Sequence, residues 1–94
     1  MYIRVSNGSF DLSKYDELVA LTEDVAARMK NLTGFVSYYG GSDERTGALV
    51  AISIWQTEET ANFSRDALGD IITRLNDINA RLEPATIYRV HRAA

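Results

Sequence analysis

The sequence predicts an α+β domain with the element order β-α-β-β-α-β. Three observations carry this. The run Ala48–Trp55 has the β-branched and aromatic content of a strand but is apolar on both faces. A turn sequence, Asp43-Glu44-Arg45-Thr46-Gly47, joins it to the strand-like run before it. Two stretches with apolar residues at helical spacing flank this hairpin. The order is that of the ferredoxin-like split βαβ arrangement, a four-stranded antiparallel sheet with both helices on one face.

Residues 2–7 read as the first strand, with Ile3, Val5 and Asn7 on one face and Tyr2, Arg4 and Ser6 on the other. Gly8-Ser9 ends it, and Phe10–Leu12 is a connector. The first helix is expected to start with Ser13 as N-cap and with Asp16 and Glu17 near the positive end of its dipole. Leu18, Leu21, Val25, Met29 and Leu32 make one apolar stripe. Asp24 and Arg28 are spaced as an i,i+4 ion pair, and Gly34 is placed to follow the C-terminus.

The second strand runs from Phe35 to about Ser42, where Gly40-Gly41 suggests a bulge or a frayed edge. In the third strand, Val50, Ile52 and Ile54 share one face, and Leu49, Ala51, Ser53 and Trp55 share the other. Thr57 is the expected N-cap of the second helix, which carries Ala61, Phe63 and Ala67. Gly69-Asp70 breaks or kinks it, and a second segment carries Ile71, Ile72, Leu75, Ile78 and Leu82 up to a stop at Glu83-Pro84. Residues 85–91 are the fourth strand.

The helices cover one sheet face only. The other face receives one apolar set of the third strand, either Val50-Ile52-Ile54 or Leu49-Ala51-Trp55. Each large side chain left in water forgoes roughly 1.5–3 kcal/mol of burial. A homodimer through the open face is therefore expected, with an interface of roughly 1,600 Å² or more.

The 94 residues suit one domain over 1–94. A net charge of −3 offers no basic surplus to neutralise phosphates, so neither nucleic acid nor an anionic membrane is an expected partner. The absence of cysteine excludes disulfides and thiolate metal sites, and one histidine cannot form a multi-histidine site. No metal is expected. The N-terminus begins directly as a strand and no apolar run is long enough to span a bilayer, so a cytoplasmic protein is expected.

Four features together carry a family resemblance. Asn7 closes the first strand, and Gly34-Phe35-Val36-Ser37-Tyr38-Tyr39 follows the first helix. The run Ala51-Ile52-Ser53-Ile54-Trp55 leads into Gln56-Thr57-Glu58-Glu59-Thr60, and a strand closes the chain. Over nearly its whole length the sequence resembles the antibiotic biosynthesis monooxygenase-like family of dimeric α+β barrels. Thr33 stands where that family usually has a proline before the Gly-Phe pair.

The resemblance implies a pocket in each subunit between the sheet and its helices. It also implies oxidation of a small aromatic, polyketide-type molecule by molecular oxygen with no metal or prosthetic group, hence no cofactor. Trp55 matches the tryptophan of the oxygenases, whereas their asparagine four residues earlier falls on Ala51. Haem-degrading relatives place an asparagine where Asn7 stands, but Ser64 and Arg74 occupy the positions of their helix tryptophan and histidine ligand. Haem has no ligand on that helix.

The expected catalytic residues are Asn7 and Trp55, and the expected substrate-binding residues are Phe35, Tyr39, Phe63 and Arg89. Each also has a plain structural reading. Trp55 can be core packing, Asn7 can cap the strand-one turn, and Phe35 and Phe63 can be core walls. Tyr38 and Tyr39 point to opposite faces, so at most one lines a given pocket. His91, the only histidine, lies at the end of the last strand and reads as exposed. A non-catalytic small-molecule-binding protein, or a purely structural dimer of the same fold, is the alternative function.

Overall fold

A computed structural model describes residues 1–94. The chain forms β1 (Tyr2–Ser9), α1 (Tyr15–Met29), β2 (Phe35–Asp43), β3 (Ala48–Trp55), α2 (Glu58–Ala61), α3 (Ile71–Asp77), β4 (Arg81–Leu82) and β5 (Thr86–Arg89). All pairings are antiparallel, in the order β2-β3-β1, with β4 and β5 both on the far edge of β1. The ferredoxin-like order stands, with β1 and β3 at its centre.

The last strand is broken in two. Leu82 was expected to close a helical stripe; instead Arg81 and Leu82 pair with Ser9 and Gly8. The helix stops earlier because Asn79 takes a left-handed conformation (φ 57°), with Ala80 N–H donating to Leu75 O and Asn79 N–H to Asn76 O. This is the two-bond motif that closes many helices. Pro84, which lacks an N–H, falls in the gap between β4 and β5, where a missing donor is tolerated at an edge.

The second helix is broken as well. Thr57 and Thr60 form the reciprocal cap that starts α2, but the helix ends after four residues. The Ser64 side chain accepts from Asp66 N–H and starts a 3-10 turn over Arg65–Leu68. Gly69 follows at φ 59° and leads into α3.

At the start of α1, Asp11 rather than Ser13 is the capping side chain. It accepts from Ser13 N–H at 2.9 Å and caps a 3-10 turn that precedes the helix. The apolar stripe of α1 is buried as its spacing predicts, through Leu18, Leu21, Val25 and Met29. Arg28 does not pair with Asp24. It reaches across to Asp70 at 2.6 Å and to Leu68 O at 2.9 Å, while Asp24 holds Arg74 of α3 at 2.7 Å. Gly69 permits this: a Cβ there would lie 2.4 Å from Arg28 Nη1.

The strand register fixes the two sheet faces. Tyr2, Arg4 and Ser6 stand opposite Trp55, Ser53 and Ala51, and this set faces the helices. Ile3, Val5 and Asn7 stand opposite Ile54, Ile52 and Val50, and this set faces away. Val50-Ile52-Ile54 is thus the apolar set on the open face. The bulge of β2 lies between Phe35 and Ser37, not at Gly40-Gly41, which pair regularly with Ala51 and Val50. Gly40 instead makes room for Tyr38, since a Cβ there would sit 2.8 Å from the Tyr38 hydroxyl.

Candidate functional site

A cavity of about 460 Å³ lies between the sheet and the helices. Leu18, Leu21, Val25 and Met29 of α1 form one apolar wall, with Leu68, Ile72 and Leu75 beside them. The sheet contributes the opposite wall, and there the lining turns polar. Arg4, Ser6, Tyr38 and Ser53 all face in. The volume falls in the range of small-molecule sites, roughly 300–1,000 Å³, and an apolar lining with a few convergent polar groups is their usual composition.

The polar wall is built on the two central strands. Ser6 (8% exposed) and Ser53 (3% exposed) are the buried polar residues of the chain. Ser53 Oγ accepts a hydrogen bond of 2.8 Å from Trp55 Nε1. That bond satisfies the indole N–H of a fully buried ring, a group that burial would otherwise leave unpaired at a cost of about 1–3 kcal/mol.

Trp55 does not line the cavity; it backs the wall. Phe35 meets it edge-on at 5.6 Å between ring centroids, and Phe63 packs on it at 5.0 Å. Phe63 does line the cavity, and Arg4 lies over its ring, 4.1 Å from guanidinium carbon to ring centroid. A chain of contacts therefore runs from Phe35 through Trp55 and Phe63 to Arg4.

The early end of α2 makes this chain of contacts possible. Arg4 Nη1 donates to Ala61 O at 3.1 Å and to Phe63 O at 3.4 Å. In a continuing helix those carbonyls would accept backbone bonds. Arg4 is half-buried. Burial, and secondarily the charge of Arg65, lowers its pKa from the ordinary value. A guanidinium nonetheless stays protonated at neutral pH. Burial also pushes the Tyr38 phenol above its ordinary range, so at neutral pH it is a hydroxyl that can donate a hydrogen bond, not a base.

Of the expected site residues, the structure brings Phe35, Trp55 and Phe63 together. Asn7 is exposed on the open face and gives its backbone carbonyl to Glu83 N–H. Tyr39 is 63% exposed on that same face, and Arg89 is exposed at the far edge, opposite Tyr2. None of these three lines the cavity. No group of three or more His, Asp or Glu side chains is placed to hold a metal ion, and no helix is long and apolar enough to cross a membrane.

Two lining residues carry chemistry and stand outside the expected site: Arg4, and Tyr38, whose neighbour Tyr39 is the expected one. Arg4 could have been found, because a lone charge on the helix-facing side of a central strand must be buried. Tyr38 required the hairpin register, which pairs it with Ser53 and leaves Tyr39 opposite Ile52.

No family model matches the sequence, and no curated protein matches it. Solved structures do. A protein of Deinococcus radiodurans, provisionally named an antibiotic biosynthesis monooxygenase, superposes with a TM-score of 0.79 at 18% identity, over 100% of this chain and 96% of its own. A similarly named protein of Nitrosomonas europaea gives 0.74 at 14% identity, over 98% and 100%. SnoaB of Streptomyces nogalater, a cofactor-independent oxygenase, gives 0.72 at 14% identity, over 98% and 94%. The chain thus has the fold of the antibiotic biosynthesis monooxygenase-like proteins, which its sequence already resembles.

Proposed function

We propose that this protein is a homodimer in which each subunit holds a small aromatic, polyketide-type molecule between sheet and helices and exposes it to molecular oxygen without a cofactor. The cavity of about 460 Å³ with its polar sheet wall carries this reading. A purely structural dimer would gain by filling that space, since an unfilled cavity costs packing energy. The likeness to an oxygenase of the same fold supports the choice of reaction class.

The substrate supplies the electrons. Loss of a proton from an electron-rich ring gives a phenolate or enolate. The Tyr38 hydroxyl on the wall can donate to its oxygen, and the nearby Arg4 cation favours negative charge in the cavity. Glu83 is the one carboxylate on the cavity lining and can take that proton. Oxygen then bonds to the carbanion carbon, and the O–O bond breaks. One oxygen stays as a ring carbonyl, and the other leaves as water with the two protons of the oxidised CH₂. In this reading Trp55 acts through Phe63, as a positioning residue, and Phe35 acts through Trp55.

The homodimer rests on the open face. Ile3, Val5, Val50, Ile52 and Ile54 lie together there, only partly buried, beside Tyr39, Asn7 and Tyr88. A second copy applied about a two-fold axis would bury this patch against itself.

Oxygen uptake with a panel of anthrones and dihydroquinones tests the function, with binding followed in parallel by the emission of the single tryptophan. Uptake that falls at least tenfold in Tyr38→Phe supports the oxygenase. Ligand-induced change in Trp55 emission with no uptake identifies the binding protein. Neither uptake nor binding rules out both.

A further inference from the structure

We propose that the ligand of this cavity is an anion, an aromatic monocarboxylate, and that Arg4 recognises its charge. This rests on the reading of the cavity as a ligand site and adds the chemical class of what it takes.

The inference starts from which charges are paired. The ion pairs of the chain are Arg28–Asp70, Arg45–Asp43 and Arg74–Asp24, all on exposed side chains. Arg4 is the half-buried arginine, and it has no carboxylate partner. The charge that acts on it is a second cation, Arg65, which also lines the cavity. Glu83, the lining carboxylate, is exposed and pairs with neither. A partly desolvated cation beside another cation is unfavourable unless something negative joins them.

The backbone role of Arg4 does not account for the whole group. Nη1 spends both of its hydrogens on Ala61 O and Phe63 O. Nε and Nη2 make no hydrogen bond within the chain, and together they form the edge that binds a carboxylate through two parallel bonds. Stacking on Phe63 and the two carbonyl bonds hold the guanidinium in place, so little side-chain freedom is lost when an anion docks. Ser6, Ser53 and Tyr38 add hydroxyls along the same wall, and the leucine-rich surface of α1 faces the hydrocarbon part.

A matched series on one ring system tests this: 2-naphthoate, 2-naphthamide and 2-naphthylmethanol, titrated against the intact protein by calorimetry and by Trp55 emission. The carboxylate is expected to bind at least tenfold more tightly than the amide. That ratio should collapse toward one in Arg4→Gln, survive in part in Arg4→Lys, and shrink less in Arg65→Gln. A structural role for Arg4 alone would lower all three affinities together and leave the ratio unchanged. If the amide and the carboxylate bind the wild-type protein equally, the anion proposal fails while the cavity stands as a neutral-ligand site. If none of the three binds, both readings fall. Should Arg4→Gln not fold, the wild-type ratio and its fall with Arg65→Gln decide the matter.

Discussion

The two faces of the sheet differ in a way that a lone subunit does not explain. The face under the helices carries Arg4, Ser6, Ser53 and Tyr38, yet it is the covered one. The face without helices carries Ile3, Val5, Val50, Ile52 and Ile54. The covered face also holds Leu49 and Trp55, so what a lone subunit leaves unexplained is the second apolar set on the side without helices, since apolar surface gains from cover. Polar groups under the helices suit the proposed ligand site. Apolar groups on the other side have a use if a second copy covers them. On the proposed reading, strand parity divides the sheet: alternate residues of β1 and β3 face the cavity and the open side that a second copy would cover.

Substitutions on each face sharpen this division. The largest effect is expected at Trp55, which is fully buried between Phe35 and Phe63. Trp55→Ala should lower stability by about 3–5 kcal/mol in urea denaturation and should also release Phe63 from the cavity wall. On the opposite face, Ile52→Lys should convert a dimer to a monomer, weakening association by about 3 kcal/mol or more, because a lysine would be buried unpaired at the centre of the contact. In a protein that is monomeric to begin with, the same change would cost no more than about 0.5 kcal/mol, as surface substitutions do. Sedimentation and denaturation of this one variant therefore tell the two situations apart.

A smaller effect is expected at Ser53. Removing its hydroxyl in Ser53→Ala leaves the Trp55 N–H without its acceptor. The loss should be about 1–3 kcal/mol, with a shift in Trp55 emission and no change in oligomeric state.

The smallest effect is expected away from both faces, at the exposed Arg28–Asp70 pair joining α1 to α3. The hydrogen bond from Arg28 holds the Asp70 carboxyl below its ordinary pKa. A lowered carboxylate contributes stability above the unfolded-state pKa of about 3.9 and loses it as pH falls through the lower folded value. Asp70→Asn should thus be slightly less stable than wild type at neutral pH, and the two should converge in acid.

Much of this arrangement is written in the sequence. The stripe of Leu18, Leu21, Val25 and Met29, the cap at Thr57 and the apolar run of β3 are local patterns, and each appears where its spacing places it. The breaks after Ala61 and Ile78 are less legible. Each depends on a single residue choosing a turn over a helix: Ser64 bonds forward to Asp66 N–H, and Asn79 adopts a left-handed backbone. Helical periodicity continues across both breaks, so Leu82 reads as helix until β1 is present to pair with it.

The side chains in and behind the cavity wall, and the ion pairs beside it, divide in the same manner. Trp55, Phe35 and Phe63 are visible as aromatics near strand and helix ends. Which of Tyr38 and Tyr39 faces inward depends on a bulge at Val36, and Arg28 finds Asp70 and not Asp24 because Gly69 leaves room. These are long-range outcomes that neither propensity nor spacing encodes.

The division of the sheet into a ligand face and a self-association face stands or falls with the state of the unmodified protein in solution. Sedimentation equilibrium over low micromolar concentrations should return about 21 kDa, twice the 10.5 kDa of one chain. A folded species of one-chain mass throughout that range, with Val50, Ile52 and Ile54 open to solvent, would contradict it.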